Sequence, residues 1–288
     1  MLVRLGTSCE QRHVAQFQRP AGLVHARCVT PPIEDALPTA WQDLEAAAAR
    51  ILRECGYEVE VQKRVELARG SVNVDVWADD HAEPPNVLVI ECKHWTKPVS
   101  RDVVHGFRTV VGDSGANTGL LVSSAGFQAG AKEAAAYSNV RLLAWDEFQQ
   151  LFARRWFRSY MSPVIAEATD ALHEYTEPIN SRVLRKADQL PDRRRSAFIA
   201  LRNKYQSLMV TNFAFHPVTI DSGISSVASE LPALPLRDSQ RVPDESERMG
   251  GLPSDVLDAV ALRPLMERLI SHSQSAIAEF DAVFGERA

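Results

Sequence analysis

The segment that most constrains the fold of this chain is residues 86–95, which read NVLVIECKHW. Apolar residues follow one another at positions 87–90, so a strand formed here would be apolar on both of its faces. Such a strand is typical of the centre of a sheet that helices cover on both sides. The segment therefore predicts a three-layer α/β domain with this strand in the middle.

A helix is predicted ahead of the strands. Thr39 and Gln42 have the spacing of a capping box at its start, and Gly56 marks its end. Glu45 lies on or beside the buried face, where a charged side chain is unusual and suggests a functional role. A glutamate whose carboxylate reaches solvent at the helix edge is the alternative explanation. Apolar residues at helical spacing form that buried face: Trp41, Leu44, Ala48, Ile51, Leu52 and Cys55.

The other elements alternate in the order of parallel crossover units. Two valine-rich strands, at residues 57–67 and 71–78, precede the central strand. After it we predict a helix that Ser100 caps and that ends at Gly112. A strand, a helix, a strand and a final helix then follow at residues 118–124, 127–137, 139–145 and 146–156. The domain is thus expected to span residues 39–156.

The two ends of the chain differ from this domain. Residues 1–38 contain four prolines and are predicted to form an irregular N-terminal arm. Residues 157–288 are predicted to be mainly helical, with a linker rich in proline, serine and glycine at about 217–253 and a break or kink at Pro264. Residues 151–216 carry eleven Lys or Arg against six Asp or Glu, which marks them as a candidate phosphate-contacting segment. A solvated helical surface explains the same charge more simply.

Composition excludes some classes of protein. A net charge of -5 argues against a protein that coats nucleic acid through bulk charge, but it leaves room for a local basic groove. The four cysteines form no CxxC pair, which favours reduced thiols in the cytoplasm. The N-terminus has no apolar region of the signal-peptide kind, and no stretch approaches the ~20 apolar residues of a membrane span. We therefore expect a cytoplasmic protein without a membrane partner.

Strand geometry brings charged residues together at the end of the central strand. Side chains alternate across a strand, so Glu91 and Lys93 share one face, while Cys92 points to the other as a small buried hydrophobe. In the strand at 71–78, the valines at positions 72, 74 and 76 are expected on one face and Asp75 on the other. Buried charges of this kind usually pair, bind metal or reach solvent. If the two strands pair, two carboxylates and an ammonium converge.

Asp75, followed 16 positions later by Glu91-Cys92-Lys93, resembles the D…(D/E)xK signature of the PD-(D/E)XK nuclease superfamily. The flanks narrow the resemblance to Mrr-type restriction endonucleases. The matching segments are LEAAAARILRECGYEVE, VRLLAWDEF and ECKHWTKPVSRDVVHGFRTVVGDSGANTGLLVSSAGFQAGAKEAA. The resemblance covers residues ~39–152, and it departs from many Mrr-type members in having glutamate rather than glutamine at position 91. It implies a restriction-endonuclease-like core with a central mixed sheet.

The resemblance also implies a role for each residue of the motif. Asp75 and Glu91 would bind Mg²⁺, for which Mn²⁺ can substitute, together with the backbone carbonyl of Cys92. Glu45 is a further candidate, both as a catalytic residue and as a metal ligand. Lys93 would orient the attacking water and stabilise the negative charge that develops on the phosphate.

Other polar residues nearby have two interpretations each. Ser124 could contact phosphate, although an N-cap role is favoured. His94 and Trp95 follow the central strand and either line a DNA groove or pack at the strand end. Three arginines at and just beyond the end of the helix at 146–156, Arg154, Arg155 and Arg158, either contact phosphates or favour the helix C-terminus.

The function expected from these features is Mg²⁺-dependent hydrolysis of DNA phosphodiester bonds by an endonuclease of the restriction or defence type. A homodimer fits an enzyme that cuts both strands. The alternative is a catalytically inactive nucleic-acid-binding module with the same fold, against which the complete set of Asp75, Glu91 and Lys93 speaks. In a third hypothesis the C-terminal half is the effector and the nuclease-like part is a scaffold.

Overall fold

A mixed sheet of five strands lies at the centre of the part of the chain that the structure describes. The structure is a computed structural model and describes residues 30–68, 70–81, 83–177, 179–221, 231–238 and 251–285. The strands lie side by side in chain order: β1 (Glu58–Leu67), β2 (Gly70–Asp79), β3 (Val87–Lys93), β4 (Thr118–Ser123) and β5 (Val140–Ala144). The first three strands pair antiparallel and the last three pair parallel. The predicted central mixed sheet is confirmed.

Helices α2 (Arg101–Asp113) and α3 (Ala129–Ala135) cover one face of the sheet. Val89 of β3 is buried beneath them. Gly119 of β4 allows α2 to approach closely, because a Cβ atom at this position would lie 2.5 Å from Cγ2 of Val111. The helix layer therefore rests directly on the strand next to β3.

Helices α1 (Trp41–Glu54) and α4 (Trp145–Trp156) cover the opposite face. Ile90 of β3 and Phe148 of α4 are fully buried in this second core, each 0% exposed. Because β3 is apolar on both faces, each face packs against its own helix layer. Each Å² of apolar surface removed from water in this way stabilises the fold by roughly 25 cal/mol. The predicted three-layer α/β architecture is confirmed.

Helix α1 begins differently from the predicted capping box. Its N-cap is Ala40 rather than Thr39. The carboxylate of Asp43 accepts a hydrogen bond from the Ala40 N–H at 3.0 Å and one from the Thr39 hydroxyl at 2.7 Å. Asp43 therefore has the role that the sequence assigned to Gln42, and its negative charge also suits a helix N-terminus.

The described chain beyond α4 is mainly helical, as predicted. A π-helical turn at Phe157–Met161 joins α4 to α5 (Ser162–Thr176), so helical backbone runs unbroken over residues 145–176. The remaining helices are α6 (Ser181–Asp188), α7 (Asp192–Ala214), α8 (Pro217–Asp221), α9 (Ser254–Leu257) and α10 (Leu262–Phe284). None of the described helices combines the length and apolar character that a membrane crossing requires. The domain boundary predicted near residue 156 falls inside the unbroken run and stays a prediction.

Helices α5, α7 and α10 pack through an aromatic cluster. The ring of Tyr175 stacks on Phe280 and Phe284 at centroid distances of 4.8 and 5.8 Å, and Phe198 meets both phenylalanines edge-on. Pro264 does not break α10, because it lies in the first turn, where its missing N–H needs no helical partner. The break predicted there is wrong. The predicted linker at 217–253 lies largely outside the described residues.

Residues 30–38 join the end of the chain to the sheet domain. The backbone N–H groups of Leu262 and Arg263 donate to the carbonyl oxygens of Pro32 and Ile33, both at 2.9 Å. This part of the predicted N-terminal arm is therefore fixed against the start of α10. Residues 1–29 of the predicted arm lie outside the described residues.

Candidate active site

The candidate site lies where β2 and β3 separate. Their antiparallel pairing ends at Val76 and Ile90, and Asp75 and Glu91 are the next residues on the two strands. Oδ2 of Asp75 accepts a hydrogen bond from the backbone N–H of Cys92 at 2.7 Å. The Asp75 carboxylate thus takes the place of a strand partner and is fixed beside the ExK motif.

The side chains of β2 change faces of the sheet at Asp75. Val74 belongs to the core under α2, whereas Val76, two residues later, belongs to the core under α1. No backbone pair joins Asp75 to Gln62 on β1, although the residues on either side of each are paired. The prediction that Val72, Val74 and Val76 share a face is therefore wrong. The regular alternation of side chains is interrupted at the level of Gln62, whose φ is 53°.

Gln62 lies between two carboxylates. Its Nε2 donates to Oε2 of Glu45 at 2.9 Å and to Oδ1 of Asp75 at 3.3 Å. Glu45 projects from α1 and is only 6% exposed, so it faces inward, as its helical phase indicates. Sequence reasoning missed Gln62, because a polar residue in an alternating strand gives no signal before its register with Asp75 is known.

Glu91 and Lys93 form an ion pair at the end of β3, on the strand face that they share. Their side chains are 22% and 20% exposed, so solvent reaches the pair from one side. The Lys93 ammonium also lies 5.4 Å from the ring centroid of Trp95. Trp95 is 45% exposed, and it therefore borders the site rather than packing in the core.

Ser124 and His94 support the end of β3. The Ser124 hydroxyl donates to the carbonyl oxygen of Trp95 at 3.1 Å. Its predicted role as an N-cap is wrong, since the N-cap of α3 is Gln128 and the hydroxyl is engaged with the strand. Nε2 of His94 lies 3.2 Å from the carbonyl oxygen of Pro38, which ties the segment before α1 to the same strand end.

Burial and like charge raise the pKa of both glutamates. Burial contributes most to the raised pKa of Glu45, the Asp75 charge adds to it, and the Gln62 amide and Lys93 oppose it. The raised pKa of Glu91 likewise comes first from burial and then from Asp75, against the opposing ion pair with Lys93. Three carboxylates with one ammonium leave an excess of negative charge, which favours a bound cation.

The donor set fits a hard divalent cation. Oxygens of Glu45 and Asp75 both face the positively polarised amide N–H₂ of Gln62, so a cation would suit the same place. Carboxylate and amide oxygens are the ligands that Mg²⁺ and Ca²⁺ prefer. Across the described residues, no three His, Cys, Asp or Glu side chains come close enough together to hold a metal ion by themselves. The two converging carboxylates are therefore part of a shell that other oxygens must complete.

Arg155 of α4 contacts the end of α1. Arg155 donates from Nε to the carbonyl oxygen of Cys55 at 2.7 Å, and its guanidinium lies 4.0 Å from the ring centroid of Tyr57. These contacts tie α4 to the end of α1, which gives Arg155 a structural role instead of a phosphate contact. Burial meanwhile raises the pKa of Cys55 to about 12, as expected of an inert buried thiol.

A mixed sheet with an ExK strand beside a separated Asp strand is consistent with a restriction-endonuclease-like fold. Residues 37–152 match the family model Mrr_cat, which is described as restriction endonuclease. This part of the chain is therefore similar to an Mrr-type restriction endonuclease domain.

Comparison with other proteins adds one solved structure. It is described as a protein of unknown function, AF1548, and is 18% identical to this chain with a TM-score of 0.33. The match covers 56% of this chain and 97% of that one. No curated protein matches the chain.

Proposed function

We propose that this protein is a divalent-metal-dependent DNA endonuclease that hydrolyses phosphodiester bonds. The observation that carries the proposal is the convergence of Glu45 and Asp75 beside the Glu91–Lys93 pair, inside a domain of the Mrr type. Each of these groups stands where two strands of the sheet separate, so the site opens to solvent at a strand end. That position gives a DNA phosphate access to charged groups held by a rigid sheet.

Asp75, Glu91 and Glu45 are the residues that would hold Mg²⁺ or Mn²⁺, with the carbonyl oxygen of Cys92 as a further ligand. A bound divalent cation supplies a more acidic water and neutralises charge on the phosphate. The hydrogen bond from the Cys92 N–H orients Asp75 for this role before any ligand arrives. Orientation in advance lowers the reorganisation that binding requires.

Lys93 is proposed to stabilise the negative charge that develops on the scissile phosphate. Its ammonium is held at the mouth of the site by Glu91 and lies near the ring of Trp95. A positive charge in a partly buried place acts more strongly than one in bulk water. The same ammonium can orient the attacking water by donating a hydrogen bond to it.

DNA is the proposed partner, and two exposed tryptophans flank the site. Trp41 lies one helical turn before Glu45 and is 51% exposed; its predicted place on the buried face is wrong, since it is the first residue of α1. Trp95 follows Lys93 by two residues and is 45% exposed. Exposed aromatic rings can stack on bases or on sugar rings. We further propose that a homodimer cuts both strands, and that the enzyme restricts foreign DNA in the cytoplasm, where its buried thiols stay reduced.

The proposal is tested by incubating supercoiled plasmid with the full chain and Mg²⁺ or Mn²⁺. Wild type is expected to nick or linearise the plasmid, whereas Asp75→Ala and Lys93→Ala are expected to leave it intact. Lys132→Ala, which removes an exposed lysine of α3, is the matched control and should cut like wild type. Omitting the metal or adding EDTA should stop cleavage.

Two results would overturn the proposal. Equal nicking by wild type and the Asp75 variant would show that the activity comes from a contaminant. No nicking by any of the proteins, together with a mobility shift of the plasmid, would favour the inactive nucleic-acid-binding module instead.

A further inference from the structure

Gln62 has a backbone conformation that its residue type disfavours. Its φ of 53° lies in the left-handed region, inside a strand of 10 residues. A residue with a Cβ atom pays about 1–2 kcal/mol for this conformation, which glycine adopts freely. Such residues persist where their surroundings over-determine them, and they cluster at functional sites.

The same conformation aims the Gln62 side chain between Glu45 and Asp75. One amide nitrogen reaches a carboxylate oxygen of each, at 2.9 and 3.3 Å. Glu45 and Asp75 come from different elements, α1 and β2, so Gln62 is the group that joins them. In the absence of metal, its N–H₂ group offsets the repulsion between two converging carboxylates.

The two ends of the amide can exchange places. The last torsion of glutamine is broad and roughly two-fold, so a half-turn puts the oxygen where the nitrogen was. Adjacent ligands in an octahedral shell of radius ~2.0–2.1 Å are about 2.9 Å apart. The distance from the Gln62 amide nitrogen to Glu45 is 2.9 Å, close to that spacing, and the distance to Asp75 is 3.3 Å, somewhat longer.

We propose that Gln62 is a ligand of the cation site and shares one divalent cation with Glu45 and Asp75. Its amide nitrogen donates to both carboxylates in the structure, and after a half-turn its oxygen would face a bound cation. The proposal rests on the proposed function, and it adds a residue that the D…ExK motif does not contain. It also explains why a glutamine, rather than a glycine, stands at a left-handed position.

The test is a measurement of Mn²⁺ affinity by titration calorimetry on the full chain, without DNA. Gln62→Leu keeps the side-chain size and removes the amide, so affinity is expected to fall roughly tenfold or more. Gln62→Glu supplies a charged oxygen at the same place, and affinity is expected to rise. Gln62→Gly suits the left-handed backbone, so it folds even if the leucine variant does not, and its affinity should fall as well.

Tyr137→Gly is the control for backbone strain. Tyr137 also has a positive φ, 58°, but it is fully exposed on the surface, so relief of strain there should leave Mn²⁺ affinity unchanged. Affinity in Gln62→Leu or Gln62→Gly that equals or exceeds wild type would overturn the proposal, as would wild type that binds no Mn²⁺.

The same samples are assayed for plasmid cleavage, which separates this inference from the proposed function. Mn²⁺ binding that depends on Gln62 without any cleavage would sustain the ligand role and reject the endonuclease. Cleavage by wild type with affinity independent of Gln62 would do the reverse.

Discussion

Two charged clusters in this molecule are built from the same kinds of residue and differ in how far their negative charges are compensated. The junction cluster consists of Glu34, Glu54 and Arg263, whose side chains are 11%, 12% and 11% exposed, and Arg50 also donates to Glu34 at 2.9 Å. The site cluster consists of Glu45, Asp75 and Glu91 with Lys93. In the junction cluster the Arg263 guanidinium donates to both carboxylates, at distances of 2.5 to 3.0 Å.

The junction cluster is complete without a ligand. Burial alone would lower the pKa of Arg263, but the hydrogen bonds with Glu54 and the charge of Glu34 outweigh burial and raise it. Glu54 also accepts a hydrogen bond from the Trp156 ring N–H at 2.6 Å. The site cluster instead has three acids for one ammonium, and a neutral amide bridges two of the acids. The difference suggests two roles for charged groups. Ion-paired and hydrogen-bonded charges stabilise the fold, whereas the excess negative charge of the site cluster favours binding of a cation.

The largest effect is expected from Arg263→Ala. Among the residues that the structure describes, removing the guanidinium from this buried, hydrogen-bonded cluster leaves Glu54 without a cation and Glu34 with Arg50 alone. Breaking a buried ion cluster in this way costs about 3–5 kcal/mol. We expect the free energy of unfolding, measured by urea denaturation, to fall by that amount. Arg237→Ala breaks an ion pair with Asp258 whose side chains are about half exposed, 52% and 54%, and serves as control. It should cost no more than about 1 kcal/mol; equal losses in both variants would erase the contrast.

Lys93→Met should lower the rate of cleavage and leave stability nearly unchanged, whereas Arg263→Ala should lower stability. The methionine keeps the length of the side chain and removes the charge that we assign to transition-state stabilisation. The rate of plasmid cleavage at saturating DNA is expected to drop by a factor on the order of 10²–10³. Thermal stability without metal should change little. If the variant unfolds as readily as Arg263→Ala, then the site cluster is structural and the comparison fails.

Trp156→Phe sharpens the account of the junction cluster. The substitution keeps an aromatic ring, removes the hydrogen bond to Glu54, and puts a smaller ring at a fully buried position. A hydrogen bond to a charged acceptor contributes about 1.5–3 kcal/mol, and the smaller ring adds a packing cost, so the free energy of unfolding should fall by at least that amount. Cleavage per folded molecule should equal that of wild type. A change in turnover would show that the two clusters are coupled through α1.

The smallest effect concerns pH. Because the pKa of Glu45 is raised in the folded, metal-free protein, the stability linked to its protonated form is full below the ordinary glutamate pKa of about 4.3 and is lost as pH rises through the folded value. Glu45→Gln cannot ionise. In EDTA at pH 7–8 it should therefore melt at a slightly higher temperature than wild type, and the gap should close in acid. A gap of constant size across this range would contradict the raised pKa.

Much of this architecture could be predicted from local patterns. The apolar run in β3 fixed its central place, and helical phase placed Glu45 towards the sheet. Shared parity on β3 placed Glu91 beside Lys93. Each of these inferences uses only the geometry of a single regular element, and regular geometry held within α1 and β3.

The remainder depends on pairing between elements. The predicted alternation of side chains was wrong at Asp75. Gln62, opposite it on β1, has a left-handed backbone conformation, which interrupts the regular alternation of faces. Gln62 itself acquires meaning only through two partners that lie 17 and 13 residues away along the chain. Ser124 was misassigned for a similar reason, since the carbonyl group that it contacts belongs to another strand end.

The unbroken helical run over residues 145–176 has a practical consequence. A nuclease fragment that stopped at residue 156 would end in the middle of this run and would lack Arg263, the partner of Glu54 at the end of α1. Glu54 is in the same helix as Glu45, so the damage would reach the helix that carries part of the site. We therefore expect a fragment with the boundaries of the matched domain to be less stable than the same residues in the full chain.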